Sequence, residues 1–309
     1  MEYLLWLQTI RTDFLDSVLA SVTDLVVSPL IYVIIAIVYW CFNKKAALFL
    51  AMNVSIGTMV NQTLKNIFCV YRPWIKNPAI IPVESALENA TGYSFPSGHS
   101  QIGSSVFLTI AYLNKKKKWL VAICIFMTLL VMFTRNYLGV HTPADVITGM
   151  LVAIAVIFIN KKLLTWVDGG KNRDMLVAVS GIILSVILLL YLAVKPYPVD
   201  INVDGSLLVD PQKMIEDCFV AAGCMFGFFT GWILERRLVN FTVDISAKTR
   251  TFRAVSGGII MLLYAGLIKD KLILVHLLWG EFIFFAVAFL LILFILPWIF
   301  TKFEKRSCC

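Results

Sequence analysis

A bundle of about nine membrane-spanning α-helices, all-α and without a soluble domain, is the fold this sequence predicts, and three observations predict it. Of the 309 residues, 60% are hydrophobic and 15% charged, with a mean hydropathy of +0.85, a balance that soluble globular domains do not reach. Apolar stretches long enough to cross a hydrocarbon core recur from about Leu25 to the C-terminus,. No polar segment between them is large enough to bury a core of its own.

Taken in order, residues 1–23 come first. Tyr3, Trp6, Leu7, Ile10 and Phe14 recur at helical spacing opposite Gln8, Arg11, Thr12 and Asp16, the pattern of an amphipathic helix lying on the membrane surface. An extension of the first span, with Asp13, Asp16 and Asp24 facing the bundle, explains the same residues. No Lys/Arg cluster precedes the first apolar run and no small-residue cleavage site follows it, so no cleavable signal peptide is expected,. Spans are expected near 24–42, 46–70, 99–113, 119–134, 143–160, 174–194, 214–234, 254–268 and 273–300. The eighth is short and interrupted by Gly257, Gly258 and Gly266.

The formal charge is +8, but the basic residues stand in short runs between apolar segments, which fits membrane topology and gives no nucleic-acid face,. Eighteen of the 27 Lys and Arg fall in alternate loops, including Lys115 to Lys118. That asymmetry places the N-terminus outside and the C-terminus in the cytosol. The seven cysteines lie mostly in or beside spans without metal-ligand or disulfide-framework spacing and read as small apolar residues, while Cys308 and Cys309 follow a basic tail,. Gly223, Gly227 and Gly231 form a four-residue stripe that suits close helix packing, either within the bundle or at a homodimer seam,.

Three segments, all on the expected outer side, hold most of the groups suited to a phosphate. They are Lys65 to Arg72-Pro73, Pro96-Ser97-Gly98-His99, and Arg135 to His141 and Asp145. A phosphate monoester carries close to two negative charges, which Lys65, Arg72 and Arg135 can neutralise; interfacial snorkelling is the bland alternative for each. Against it, Lys65 follows Asn61 and Gln62, a polar patch near the end of a span,. Ser97 and Gly98 stand where a helix begins, so they can act as an ordinary N-cap or let backbone N–H groups close on an anion. Thr142 and Pro143 mark another helix start, which puts Asp145 at its third position, in reach of a capping box or of the His141 imidazole,.

With these spacings the chain resembles the type 2 phosphatidic acid phosphatase superfamily, whose signature is K-x6-RP, PSGH and SR-x5-H-x3-D. Every spacing is met, and the one departure is Thr134 where the family usually has Ser. The resemblance covers roughly 43–161 and implies a catalytic core over 24–194, with additional helices and a basic tail over 195–309. It implies His141 as nucleophile, Asp145 as the group orienting its imidazole, and His99 as the acid for the leaving oxygen and then the base for water. Lys65, Arg72, Ser97, Gly98 and Arg135 are the implied phosphate ligands. No metal or other cofactor is implied, three fixed cations standing in for one.

The resemblance implies a membrane phosphatase acting through a phosphohistidine on a phosphorylated lipid or polyprenyl substrate, which a site at the membrane surface meets by lateral diffusion. The long topology is closer to the glucose-6-phosphatase and sphingosine-1-phosphate phosphatase arrangement, which keeps a soluble sugar phosphate open. Transfer to a lipid or sugar hydroxyl in place of water is a further alternative. A transporter or scramblase has no need of His99, His141 and Asp145 together. The remaining histidine, His276, stands near Glu281, far from the motifs. Location in a cytoplasmic membrane with the site on the extracytoplasmic side follows if the source is bacterial.

Overall fold

The computed structural model describes residues 1–307 apart from 91, 202–204 and 206. Its helices are α1 Glu2–Thr9, α2 Asp13–Val27, α3 Pro29–Cys41, α4 Lys44–Phe68, α5 Pro73–Lys76, α6 Gly98–Leu113, α7 Lys118–Tyr137, α8 Pro143–Asp168, α9 Arg173–Val194, α10 Pro211–Leu234, α11 Ala247–Val275, α12 Leu277–Leu290 and α13 Leu296–Ser307. π-helical turns Glu235–Val239 and Leu291–Ile295 carry α10 and α12 onward. The described residues form no strand.

Among the described residues six helical stretches are long and apolar enough to cross a membrane, or seven if α2 and α3 count as one broken span. The expected nine is not reached, for physical reasons visible in α4 and α6. Asn53, Ser55, Asn61, Gln62, Lys65 and Asn66 dilute α4, while α6 has only 16 residues, among them Ser100, Gln101, Ser104 and Ser105. These polar side chains lower the hydropathy of α4, and its length alone keeps α6 below a span. The glycine-interrupted eighth stretch is a full-length helix, α11.

The N-terminal segment is two helices rather than one. Thr12 caps α2 by accepting from the Leu15 N–H, and the break at Ile10 to Thr12 turns Leu4 and Leu7 inward. Both are essentially unexposed, packed with Ile80, Ala86, Ala90, Tyr137, Leu138 and Val140; Tyr3, Trp6 and Phe14 remain exposed.

The chain divides into two compact units that interleave in sequence, where the reading above had them follow one another. One comprises 1–28, 56–158 and 192–218, the other 29–55, 159–191 and 219–309. In the first, α6 packs on α7, and α2 packs on both. α8 starts so close to α6 that a Cβ on Gly149 would lie 2.6 Å from the Ser97 carbonyl oxygen. Only glycine fits there.

In the second unit, α11 packs on α3 and α12. Buried Arg253 holds Glu304 through Nε and Nη2, both at 2.7 Å, and donates to the carbonyls of Trp40 and Thr242. His276 caps α12 by accepting from the Trp279 N–H, and Glu281 pairs with Lys269 at 3.5 Å. The glycine stripe of α10 is covered by this same chain: Gly223, Gly227 and Gly231 meet Phe282, Ala286 and Leu293. Close packing inside the bundle is therefore what the four-residue spacing serves. Cys41, Cys69, Cys124, Cys218 and Cys224 are free thiols, while Cys308 and Cys309 lie outside the described residues.

The glycine contacts set a stability test. A side chain at Gly227 must displace Ala286, whose Cα would lie 2.7 Å from the added Cβ, whereas at Gly258 nothing lies within 4 Å. Gly227→Leu should cost about 1–3 kcal/mol or more through overpacking, read as a lowered thermal midpoint in detergent, and Gly258→Ala should cost nothing.

Candidate active site

All eight residues singled out in the three motifs lie in the first unit. A cavity of about 320 Å³ is lined by Lys65, Arg72, Gly98, His99 and His141, together with Val27, Gln62, Glu88, Asn89, Ile102, Lys213 and Asp217. Ser97, Arg135 and Asp145 stand behind its wall.

The loop before α8 sets His141. Its N–H and that of Val140 both donate to the Arg135 carbonyl at 3.2 Å, and its own carbonyl accepts from Asn136 Nδ2 at 2.9 Å. Thr142 and Asp145 cap α8 reciprocally, the Thr142 N–H donating to Asp145 Oδ2 at 2.7 Å and the Asp145 N–H to Thr142 Oγ1 at 3.4 Å,. The same Oδ2 accepts from Ser94 Oγ at 2.6 Å and lies 3.6 Å from His141 Nδ1. The carboxylate oxygen that caps α8 is thus also the one beside the imidazole.

Arg72 completes the arrangement. Its Nη1 donates to the Val140 carbonyl at 3.0 Å and lies 2.9 Å from His141 Nε2, and its Nε donates to the Gly92 carbonyl at 3.0 Å. Burial and then Arg135 push Arg72 down to about 9, which leaves it a cation near neutral pH. A guanidinium only donates, so Nε2 of His141 is the accepting nitrogen and the ring proton sits on Nδ1, toward Asp145 and Ser94. Burial, with Arg72 next, pushes the His141 imidazole well below its ordinary value against the opposing pull of Asp145. The ring is neutral, and its unprotonated nitrogen, Nε2, is the one that Arg72 holds.

The remaining cations differ in how they are held. Lys65 Nζ donates to the Tyr93 carbonyl at 2.9 Å. Arg135 is fully buried, and none of its three guanidinium nitrogens has a hydrogen-bond partner among the described residues. A buried bare guanidinium is costly; an anion reaching it would supply the missing acceptors. Ser97 caps α6, its Oγ accepting from the Ser100 N–H at 3.4 Å, and Gly98 alone of that pair faces the cavity.

Several site residues escape the motif reading. Ser94, which links Asp145 to His141, has no spacing signal. Asp24 lies 3.7 Å from His99 Nε2 through Oδ1, and its signal is the one charged residue in the run Leu19 to Val27,. Lys213 and Asp217 share a face of α10 at i,i+4, but only the fold brings them to the motifs. Trp74 packs against the Leu4–Leu7 cluster with the Arg72 guanidinium over its ring, and Glu88 lines the cavity. His276 belongs to the other unit. Among the described residues no group of His, Cys, Asp and Glu is arranged to hold a metal ion.

The chain matches two family models, the PAP2 superfamily over residues 45–168 and the PAP2 superfamily phosphatase transmembrane extension over 219–307. Phosphatidylglycerophosphatase B of Bacillus subtilis is 32% identical over 166 residues, covering 49% of this chain and 76% of that protein. Undecaprenyl-diphosphatase BcrC of the same organism is 26% identical, over 48% of this chain and 75% of its own length. An undecaprenyl-diphosphatase of Sulfolobus acidocaldarius is 30% identical, over 44% and 64% respectively. No solved structure matches at a significant level.

If Arg135 waits for an anion, the empty protein gains nothing from its charge. Arg135→Met should leave the thermal midpoint unchanged or raise it, and should abolish the upward shift that millimolar orthovanadate gives the native protein. A vanadate shift retained in the variant overturns this role for Arg135.

Proposed function

The chain belongs to the PAP2 superfamily of membrane phosphatases, and on that footing we propose that it hydrolyses the phosphate or diphosphate of a lipid or polyprenyl alcohol through a phosphohistidine on His141. The observation that carries this reading is the neutral His141 ring, with Nε2 against Arg72 at 2.9 Å and Nδ1 backed by Ser94 and Asp145. That is the posture of an in-line nucleophile beside an anion ligand.

In this mechanism the substrate phosphoryl group draws Arg72 from Nε2. The Nε2 lone pair attacks phosphorus, a P–N bond forms, and the P–O bond to the alcohol breaks. The leaving oxygen takes a proton from His99. Water then attacks the phosphohistidine and gives a proton to His99, the P–N bond breaks, and inorganic phosphate departs. Lys65, Arg72 and Arg135 neutralise the equatorial oxygens at both steps. No bound metal is required for any of these transfers.

Two observations support a lipid or polyprenyl substrate. Relatives that cover about half of this chain carry such names, and a cavity of about 320 Å³ takes a headgroup while leaving a long chain in the bilayer. A second reading, a soluble sugar phosphate, is favoured by Glu88, Asn89, Lys213 and Asp217, which line the same cavity and can bond hydroxyl groups. A phosphate-release screen over lipid, prenyl and sugar phosphates separates the two. The enzyme sits in the cytoplasmic membrane in this proposal, with the cavity on the extracytoplasmic side.

His141→Ala should abolish turnover, and acid-labile labelling from a ³²P-phosphoryl donor should vanish with it; substantial activity in that variant sinks the covalent route. Orientation has its own test. In a cysteine-free background, single cysteines at Asn77 and Asn114 should react with an impermeant thiol reagent from opposite sides of the membrane, and labelling from one side overturns the topology.

A further inference from the structure

We infer that Asp24, on α2, is the positioning residue for His99: its carboxylate holds and charge-stabilises the imidazolium from which the leaving oxygen takes its proton. This rests on the reading of His99 as the acid, and it assigns catalytic work to a segment outside both matched regions, 45–168 and 219–307.

The geometry is specific. His99 is buried in the cavity wall, and its Nε2 has no hydrogen-bond partner among the described residues. The one acidic oxygen within ion-pair distance is Asp24 Oδ1 at 3.7 Å. Asn89 Nδ2 donates to that same Oδ1 at 3.1 Å, fixing the carboxylate between the outer loop and His99. The packing of α2 on α6 and α7 keeps the two side chains in register. A separation somewhat beyond a hydrogen bond is ordinary for an empty site, where catalytic contacts tighten on substrate binding.

The electrostatic need is equally specific. His99 lies in the field of Arg72 and Arg135, with Lys65 and Lys213 lining the same cavity and His141 opposite. Cations on that scale disfavour a second proton on the imidazole, and without one His99 is no acid. Glu88 and Asp217 also face the cavity, but Asp24 is the carboxylate on the ring itself. An imidazolium carries one proton on each nitrogen. The proton on Nε2 stays with Asp24 while the other passes to the leaving oxygen as the P–O bond breaks; His99 ends neutral, and the attacking water restores its charge.

The test uses two monoesters with the same phosphoryl group and different leaving groups. Dodecyl phosphate needs an acid for its alkoxide; p-nitrophenyl phosphate leaves a stable phenolate and does not. Asp24→Asn keeps the acceptor for Asn89 and removes only the charge. It should lower kcat on dodecyl phosphate by about 100-fold, the scale of general acid catalysis, with KM little changed and a much smaller loss on p-nitrophenyl phosphate. Asp24→Glu should recover part of the loss, and His99→Ala should show the same leaving-group pattern more strongly.

Equal losses on both esters for Asp24→Asn, with the split intact for His99→Ala, overturn the role of Asp24 and spare that of His99. Equal losses for His99→Ala overturn both. A readout independent of turnover is ¹⁵N-imidazole NMR, tractable because the chain has three histidines. With orthovanadate bound, the His99 signals should be those of an imidazolium in the native protein and of a neutral ring in Asp24→Asn; identical signals overturn the proposal.

Discussion

Three cations held in one small buried volume, Lys65, Arg72 and Arg135, are the constraint on which the rest of the first unit depends. Like charges away from water repel strongly and lose their hydration, so each must be met by something that does not cancel it. Backbone carbonyls meet two of them. Gly92 and Val140 accept from Arg72 and Tyr93 accepts from Lys65, and these carbonyls belong to the loops that carry the motifs. Arg135 is left bare among the described residues, and an anion at the site would close the balance.

That constraint explains why the site is built on loops braced from several directions. The segment after α7 returns two amides to the Arg135 carbonyl, so the residue that holds a charge also sets the turn that presents His141. The N-terminal helices contribute from outside the motifs. Leu4 and Leu7 pack under Tyr137, Leu138 and Val140, and Arg11 donates to the Tyr137 carbonyl at 2.8 Å and to the carbonyl of Ile81. That bracket braces the loop that carries His141.

Much of this was legible in the sequence because the chemistry needs charged types at fixed spacings in an apolar background. Lys65, Arg72, His99, Arg135, His141 and Asp145 stand out for that reason, and the helix starts at Ser97 and Pro143 follow from capping rules. The span count was less legible: α4 and α6, both expected as spans, are not among the helical stretches long and apolar enough to cross a membrane, because one is diluted by polar residues and the other is short. Asp24, Ser94, Lys213 and Asp217 reach the site through tertiary packing alone. No spacing relates position 24 to 99, or 217 to 65. The apolar face expected from Tyr3, Trp6, Leu7, Ile10 and Phe14 included buried Leu7 but missed Leu4, because the break near Ile10 resets which side of the helix faces inward.

The contact between Arg72 and His141 has a further consequence, which concerns the solvent this enzyme lives in. Most lipids of a bilayer are phosphodiesters, present in overwhelming excess and carrying a single negative charge on phosphate. A terminal phosphate carries nearly two. In the proposed mechanism the guanidinium rests on the attacking lone pair, so the nucleophile is uncovered only by an anion that outcompetes it for Arg72, and a dianion does so far better than a diester. That mechanism would guard the empty site against the membrane around it: headgroups would be discriminated before any bond is made, by whether the ligand can unmask His141.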